Sequence, residues 1–295
     1  MRFMNQSSLS METCFLGQHL PGWQLRLNGR CLARGCSAYQ AWEVWESDRL
    51  GRLYALDGRA MASEADAFLC HEPLVHMPGL AHAGPRRALV LGGGDGASAR
   101  ELLRYPGMEE VVIAELDAAV IDLTREYLPS LHQGALDDPR VSVKLGDAAV
   151  TLEQLAVADE RFDLLVYDLT DPDTSAASLF RREAFAAGKA LLRADGALCM
   201  QLGLPLGQPA QIRALLASLR EVFTLVTPFF TPVPLYGGLW AMACAADHVA
   251  PGGMPTDLLA ARIAALNGPP LQALDAASYP ALLALPPWLA GLTNG

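Results

Sequence analysis

The most informative stretch of this chain is Leu91-Gly92-Gly93-Gly94-Asp95-Gly96. It follows an apolar run at 88–91 and precedes a segment with helical periodicity at 97–105. A glycine-rich turn between a strand and a helix lets a ligand approach the backbone at a helix N-terminus. Such turns usually bind phosphate, but the carboxylate of Asp95 repels anions and attracts cations. The stretch therefore predicts a nucleoside-binding turn for a ligand with a positively charged tail, the alternative being a tight turn without a ligand.

Downstream of Pro85, apolar strands alternate with helical segments. The predicted strands are 88–91, 111–115, 141–145, 162–167 and 196–201, and the predicted helices are 97–105, 117–128, 148–156 and 180–192. This alternation predicts an α/β fold with a Rossmann-like, doubly wound, mostly parallel sheet. Ligands bind such sheets beyond the carboxyl ends of the strands, so the chemistry is expected in the turns that follow Leu91, Ala114, Leu145 and Tyr167.

The part of the chain before Pro85 has a different pattern. Alternating segments at 23–27 and 41–46, with turns at 48–51 and 57–58, predict a small antiparallel β unit. A helical pattern follows at 66–82. We therefore expect two domains, an N-terminal β-strand domain at 1–66 and a Rossmann-like domain at 67–295. The second domain is expected to end in helices or packing elements at 257–266 and 280–292.

Composition excludes several classes of protein. A chain of 295 residues with 52% hydrophobic residues can bury a sizeable core. The formal net charge of −10 disfavours non-specific binding to nucleic acid and is otherwise consistent with solubility alone. The segment at 1–10 is polar, so we do not expect secretion. No apolar run of about 18 residues occurs, so we do not expect a membrane span. The six cysteines lack C-x-x-C spacing, as expected for reduced thiols in a cytoplasmic protein.

Acidic residues stand at the predicted strand ends. Asp95 lies in the first turn, and Glu115 ends the second strand, where an acid commonly accepts hydrogen bonds from ribose hydroxyls. Asp147 follows the third strand and suits both a helix N-cap and an acceptor for an adenine amino group. Asp168 and Asp171 follow the fourth strand, where two carboxylates suit a cation site or general-base catalysis.

Taken together, these motifs resemble those of the spermidine synthase family, the polyamine aminopropyltransferases, over most of the chain. The motifs that carry the resemblance are Gly92–Gly96, Glu115-Leu116-Asp117, Gly146-Asp147 and Asp168–Pro172, with further matches at 37–40, 56–58, 71–76, 178–180 and 279–288. The resemblance implies a fold like that of class I S-adenosylmethionine methyltransferases, with a small N-terminal β domain. It also implies a homodimer or tetramer.

The resemblance further implies that the protein transfers an aminopropyl group from decarboxylated S-adenosylmethionine to an amine such as putrescine, releasing methylthioadenosine. Donor-binding residues would be Gln40, Gly92, Gly94, Asp95, Glu115 and Asp147, and acceptor-binding residues would be His71, Asp168, Asp171, Gln201 and Tyr236. Within these sets Glu115 would bind the ribose, Asp147 the adenine and Asp95 the aminopropyl ammonium. Asp168 would be the catalytic base, since free aliphatic amines are protonated near pH 7. No cofactor or metal is expected, because the donor is a co-substrate.

Three positions near the expected amine site depart from the family pattern. Cys70 stands in place of a Tyr, Leu169 in place of a hydroxyl residue, and Leu235 where a Tyr is either lost or shifted by one, to Tyr236. Met61 also stands where many members have Gln. An unpaired ammonium in an apolar pocket is costly. We therefore expect poorer use of putrescine than in a typical member unless Glu72, His71 or water compensates, and a longer diamine or polyamine is the favoured alternative.

Two other function classes compete with this interpretation. An ordinary S-adenosylmethionine methyltransferase usually has an acid before the first glycine, where this chain has Val90. Its donor would also place a carboxylate close to Asp95, which is electrostatically unfavourable. A non-catalytic polyamine- or nucleoside-binding protein is compatible with the altered amine site, but the intact Asp168 argues against it.

Overall fold

The structure is a computed structural model that describes residues 12–17 and 24–293. Its first five strands are Glu12–Gly17 (β1), Gln24–Cys36 (β2), Ala41–Ser47 (β3), Gly51–Leu56 (β4) and Arg59–Ser63 (β5). Each pairs with the next in antiparallel fashion, and β1 also pairs with β5 in parallel, so the strands close into a barrel. The antiparallel unit was predicted, but its closure was not. Trp23 and the polar start at 1–10 lie outside the described residues.

Both faces of the barrel wall are covered where it meets the rest of the protein. Successive side chains of a strand point to opposite faces. Val44 packs into one apolar cluster with Tyr54 and Val120, whereas its neighbour Trp45 packs into another with Leu53. This burial on both faces holds the barrel against the helices that precede and follow the central glycine loop.

A long helix, Ala67–Ala81 (α1), connects the barrel to the sheet. Almost every side chain of α1 is buried, as is usual for a helix that is apolar on all sides. Among its polar residues, the imidazole of His76 contacts the Glu101 carboxylate at 3.0 Å and the Tyr105 hydroxyl at 2.9 Å. None of the described helices is both long enough and apolar enough to span a bilayer.

A seven-stranded sheet forms the second part of the fold. Its strands are Arg87–Gly92 (β6), Glu110–Glu115 (β7), Val141–Leu145 (β8), Phe162–Asp168 (β9), Leu192–Gly203 (β10), Leu225–Val233 (β11) and Gly238–Ala246 (β12). Their order is β11-β12-β10-β9-β6-β7-β8, with β6 to β10 parallel and β12 antiparallel to both of its neighbours. The five predicted parallel strands are confirmed.

Helices pack on the sheet and follow its strands. They are Ala97–Leu102 (α2), Ala118–Tyr127 (α3), Pro129–His132 (α4), Ala148–Val157 (α5), Arg182–Ala190 (α6), Pro209–Arg220 (α7), Thr256–Ala264 (α8), Ser278–Ala281 (α9) and Pro287–Thr293 (α10). Short 3₁₀ turns lie at 135–137, 175–180 and 234–236.

Several element boundaries differ from the sequence-based expectation. The helix predicted at 97–105 ends at Leu102. The segment at 280–292 forms two short helices, and α10 begins at Pro287, a position where the missing N–H of proline costs nothing. The sequence pattern did not predict β11 and β12. Pro228 and Pro232 within β11 argue against an interior strand, but β11 lies at the sheet edge, where proline is tolerated.

The sheet reverses its direction of winding at β6, which lies between β7 and β9. In sheets of this type the crevice at the reversal point receives the ligand. Gly92 ends β6 with φ +74°, and the next residue, Gly93, has φ +68°. A Cβ on Gly92 would overlap the carbonyl oxygen of Asp168 on β9. Only glycine combines this backbone conformation with so close an approach.

We expect Gly92→Ala to destabilise the protein more than Gly134→Ala does. Gly134 also has a positive φ of +86°, but a Cβ there meets nothing within 4 Å. The left-handed backbone conformation should lower the free energy of unfolding of each alanine variant by roughly 1–2 kcal/mol. Overpacking against β9 should lower it by roughly a further 1–3 kcal/mol in Gly92→Ala only. Urea denaturation of the two variants measures the difference. Equal losses of stability would show that the close approach to Asp168 is not a constraint.

Candidate active site

A cavity of about 320 Å³ opens at the carboxyl ends of the parallel strands, against the barrel. Its wall includes every residue that the sequence analysis assigned to a site: Gln40, His71, Gly92, Gly94, Asp95, Glu115, Asp147, Asp168, Asp171, Gln201 and Tyr236. These residues come from the barrel, from α1 and from the ends of six different strands or the turns that follow them. The structure thus brings the predicted site residues together, while their individual roles stay predictions.

Glu115, at the end of β7, is held by the glycine loop. Its Oε2 accepts a hydrogen bond from the Gly94 amide at 3.0 Å, and its Oε1 accepts one from the Asp117 amide at 2.9 Å. A Cβ on Gly94 would lie 2.7 Å from Oε2, so this glycine is needed for the contact. Burial raises the pKa of the Glu115 carboxyl to about 7, although the two amides act in the opposite direction.

Asp117 is a site residue whose role sequence reasoning did not assign. Its Oδ1 caps α3 by accepting from the Ala119 amide at 3.0 Å. Its Oδ2 accepts from the Ser37 hydroxyl at 2.6 Å and from the Gln40 amide nitrogen at 3.0 Å. Asp117 therefore orients Gln40 across the boundary between barrel and sheet. The Glu-x-Asp motif contained the signal, but the partners lie 80 and 77 residues away in the chain.

Asp147 caps α5, as one of its two predicted roles requires. Its Oδ1 accepts from the Ala149 amide at 2.8 Å, and the side chain is exposed at the cavity wall. A capping aspartate uses one carboxylate oxygen, so the cap is compatible with a second hydrogen bond from a ligand.

Asp95 is buried within the glycine loop, with 4% of its surface exposed. Its Oδ1 accepts from the Ala97 amide at 2.9 Å, and its Oδ2 accepts from the Tyr54 hydroxyl at 3.2 Å. Burial, followed by the Asp95 carboxylate, raises the pKa of Tyr54 well above its ordinary value, so the hydroxyl stays a donor. Tyr54 belongs to β4 of the barrel, and nothing in the sequence marked it as a site residue.

His71 lies between the carboxylates of Asp95 and Asp168. Its Nδ1 donates to the Ala67 carbonyl at 2.8 Å, which fixes the ring. Its Nε2 lies 3.9 Å from an Asp95 oxygen and 3.7 Å from an Asp168 oxygen. The ring therefore directs Nε2 at both carboxylates, and its interaction with Asp168 favours the ionised form of that carboxyl.

Asp168, at the end of β9, is held in place by Ser98. The Ser98 hydroxyl donates to Asp168 Oδ2 at 2.7 Å. Burial raises the pKa of the Asp168 carboxyl, while His71 and Ser98 act in the opposite direction. A carboxylate with a raised pKa is a stronger base when it is ionised.

The cluster of His71, Asp95 and Asp168 can hold a cation. Its ligand atoms lie within 4.8 Å of one another, close enough for a metal ion. A metal would require an unprotonated Nε2 on His71. An organic ammonium or sulfonium satisfies the same carboxylates without that requirement, so the cluster suits an organic cation better.

The opposite side of the cavity is built from aromatic and amide groups. The Gln201 Oε1 accepts from the Trp240 indole at 2.9 Å, which leaves the amide nitrogen of Gln201 as a donor. The Tyr236 hydroxyl donates to the Met61 carbonyl at 2.7 Å, and its ring lies 4.8 Å from that of Trp240. Of the two neighbours Leu235 and Tyr236, it is Tyr236 that lines the cavity.

The compensating role considered for Glu72 is wrong. The Glu72 carboxylate accepts hydrogen bonds from the backbone amides of Gln272 and Ala273, at 2.7–3.0 Å, and so holds the C-terminal segment. Glu72 is not one of the described residues that line the cavity. Consecutive side chains of an α-helix point about 100° apart around its axis, which is why His71 faces the cavity and Glu72 does not.

A parallel sheet with a glycine loop and acids at its strand ends defines a class of nucleoside-dependent transferases with the fold of class I methyltransferases. Residues 67–250 match the family model of the spermine/spermidine synthase domain. The chain is 42% identical to a polyamine aminopropyltransferase of Nitrosomonas europaea over 273 residues, which cover 92% of this chain and 83% of the relative. It is 36% identical to polyamine aminopropyltransferase 1 of Pseudomonas aeruginosa over 220 residues, 74% of this chain and 76% of the relative. The chain therefore belongs to the spermine/spermidine synthase family.

Solved structures agree with this assignment. A crystal structure of spermidine synthase in complex with the transition state analogue AdoDATO superposes with a TM-score of 0.90, at 26% identity and 98% coverage of both chains. Spermidine synthase from Thermotoga maritima superposes with a TM-score of 0.88, at 26% identity, covering 98% of this chain and 97% of that one. The resemblance stated from the motifs and the predicted fold class are both confirmed.

We expect nucleoside affinity to rise with pH through the titration of Glu115. The expected role of Glu115 is to accept hydrogen bonds from ribose hydroxyls with its ionised carboxylate, and burial raises the pKa of Glu115 to about 7. The dissociation constant of methylthioadenosine should fall by roughly tenfold between about pH 6 and about pH 8. Calorimetric titration measures this change. Glu115→Gln should remove the dependence, and an unchanged slope in that variant would assign it to another group.

Proposed function

We propose that this protein is a polyamine aminopropyltransferase that transfers the aminopropyl group of decarboxylated S-adenosylmethionine to a primary amine such as putrescine. The observation that carries the proposal is the pair of buried carboxylates, Asp95 and Asp168, on either side of His71 at the glycine loop. Such a pair suits a donor that is positively charged at its sulfonium and at its terminal ammonium. The names of the relatives agree with this reaction.

The donor binds along the carboxyl ends of β6, β7 and β8. Glu115 accepts hydrogen bonds from the ribose hydroxyls, and Gln40, oriented by Asp117, assists from the barrel. Asp147 accepts from the adenine amino group with the oxygen that does not cap α5. The loop at Gly92–Gly94 lets the nucleoside approach the backbone closely, because no side chain intervenes.

Asp95 binds the ammonium at the end of the aminopropyl group. It is buried and receives hydrogen bonds from the Ala97 amide and the Tyr54 hydroxyl, which leaves the carboxylate fixed in direction. S-adenosylmethionine carries an additional carboxylate at this position, which Asp95 repels. The site thereby selects the decarboxylated donor.

Asp168 binds the reacting ammonium of the acceptor and takes its proton. The neutral amine nitrogen then attacks the methylene carbon next to the sulfonium. A carbon–nitrogen bond forms while the carbon–sulfur bond breaks, and its electron pair neutralises the sulfur, giving methylthioadenosine. His71, Asp171, Gln201 and Tyr236 hold the acceptor in line for this attack, which is the main remaining requirement for the reaction.

Two alternatives are not favoured. A methyltransferase would need to place the carboxylate of its donor near Asp95, and the relatives are aminopropyltransferases. A binding protein without activity gives no reason for Asp168 to be held by Ser98 at the point where an amine must lose a proton. Turnover of decarboxylated S-adenosylmethionine with a panel of amines, followed by chromatography of methylthioadenosine, tests the proposal directly.

We further propose that the enzyme needs no cofactor or metal, binds neither nucleic acid nor membrane, and works in the cytoplasm as a homodimer or tetramer. The net charge of −10 supports the lack of nucleic-acid binding. The free cysteines of the described chain are typical of a reducing compartment. The family resemblance supports the oligomer. We also propose a β-strand domain at 1–66 and a catalytic domain at 67–295, and the start of the family match at residue 67 supports this boundary.

Replacing Asp95 should weaken the donor complex selectively. Truncating one partner of a buried charge pair costs about 2–5 kcal/mol, so Asp95→Ala should bind decarboxylated S-adenosylmethionine far more weakly and lose most of its preference over S-adenosylmethionine. Asp95→Asn keeps the acceptor for the Ala97 amide, so a similar loss in that variant assigns the effect to charge. Calorimetry measures both affinities. If the unmodified protein bound the two donors equally, the role of Asp95 would be wrong.

Replacing Asp168 should slow the chemical step. Asp168→Asn keeps the shape but removes the base, so turnover at saturating substrates should fall by about 10²–10⁴-fold. Methylthioadenosine affinity should change little, since Glu115 and Asp147 remain. Asp122→Asn, on an exposed position of α3, is the matched control. An Asp168→Asn variant with nearly full turnover would exclude Asp168 as the base.

A further inference from the structure

One arginine of the barrel lies directly behind the acceptor side of the cavity. Arg59 opens β5, and its guanidinium reaches the loop at 169–174 that follows β9. Its Nη1 lies 3.2 Å from Asp171 Oδ2 and 2.6 Å from Asp173 Oδ1, and its Nη2 lies 2.7 Å from Asp173 Oδ2. Asp171 is part of the cavity wall, whereas Arg59 and Asp173 are not among the described residues that line it.

The two carboxylates share the guanidinium in different surroundings. The side chain of Asp173 is 59% exposed, so water screens its charge. The side chain of Asp171 is only 9% exposed, so its interaction with Arg59 and with a bound ligand is screened less. The charge that Asp171 presents to the cavity therefore depends on how strongly Arg59 neutralises it.

A diamine acceptor carries two ammonium groups when it arrives. The first meets Asp168, where the proposed reaction takes place. A second ammonium that extends towards Asp171 competes with Arg59 for the same carboxylate and is repelled by the guanidinium behind it. A monoamine of the same length has no group that meets this repulsion.

We propose that Arg59 is a specificity-determining residue that acts through Asp171 and weakens the binding of the second ammonium of a short diamine acceptor. The inference rests on the proposed aminopropyl transfer and concerns which acceptor the site prefers. Asp173 moderates the effect, because it draws the guanidinium towards solvent and away from full pairing with Asp171.

A purely mechanical role for the same contacts leads to a different result. If Arg59 only fastened the loop to the barrel, loss of Arg59 or of Asp173 would loosen the loop alike. Both changes would then raise the KM for any amine. If Arg59 instead shares its charge between Asp171 and Asp173, loss of Arg59 and loss of Asp173 should change the KM in opposite directions. The change should occur only for acceptors that carry a second ammonium.

The test compares Arg59→Met and Asp173→Asn with putrescine and with butylamine, a monoamine of the same carbon chain. Arg59→Met should lower the putrescine KM, and Asp173→Asn should raise it, each by about threefold to fivefold, the upper part of the range for a solvent-screened ion pair. Butylamine KM and donor KM should stay within about twofold of the unmodified values. Arg30→Met, which removes a barrel contact to Glu46 at 2.7 Å, is the matched control.

If a variant turns over too slowly for KM to be measured, its dissociation constant for putrescine can be compared instead. Calorimetric titration of putrescine into the complex of the protein with methylthioadenosine gives this constant. Shifts in the same direction for both variants, or equal shifts with butylamine, would overturn the inference while leaving the proposed function intact. Failure of the unmodified protein to transfer the aminopropyl group to any amine would instead overturn the proposed function, and the inference with it.

Discussion

The close approach of the glycine loop to its two neighbouring strands is the constraint on which the site depends. The Gly93 amide donates to the Asp168 carbonyl at 2.9 Å, and the Gly94 amide donates to the Glu115 carboxylate at 3.0 Å. One turn thus sets the positions of an acid on β9 and an acid on β7. A Cβ on Gly94 would lie 2.7 Å from Glu115 Oε2 on β7, and a Cβ on Gly92 would overlap the Asp168 carbonyl oxygen on β9. The relative placement of the Glu115 and Asp168 carboxylates follows from this backbone contact.

Carboxylates that lie close together repel one another, and each carboxylate of the site is stabilised by different partners. Glu115 has a pKa of about 7 and accepts from two backbone amides. Asp168 receives a hydroxyl donor and faces His71, and Asp95 receives an amide and the Tyr54 hydroxyl. Because buried charges need partners, a cationic substrate completes this arrangement rather than disturbing it. The barrel is part of the solution, since it supplies Tyr54.

The proposed donor and acceptor sides of the cavity differ in construction. The donor side is held by hydrogen bonds between neighbouring strand ends and by helix caps. The acceptor side combines residues from α1, β10 and the turn at 234–236 with an ion pair between Arg59 and Asp171. Cys70 and Leu169, the positions where we expect departures from the family pattern, lie on this second side: Cys70 Sγ is 3.9 Å from the Tyr236 hydroxyl, and Leu169 is part of the cavity wall. Under the proposed function, the preferred acceptor can therefore change without altering the chemistry proposed for Asp168.

The parallel strands, the acids at their carboxyl ends and the cap at Asp147 could be predicted from the sequence, because they depend on periodicity and on hydrogen bonds between near neighbours. Which distant groups meet depends on tertiary packing and could not be predicted in this way. The contacts of Tyr54 with Asp95 and of Arg59 with Asp171 join residues 41 and 112 positions apart. The direction of Glu72, one residue after His71, was likewise undetermined. Such contacts follow from how the closed barrel and α1 pack on the sheet, and no local pattern records that packing.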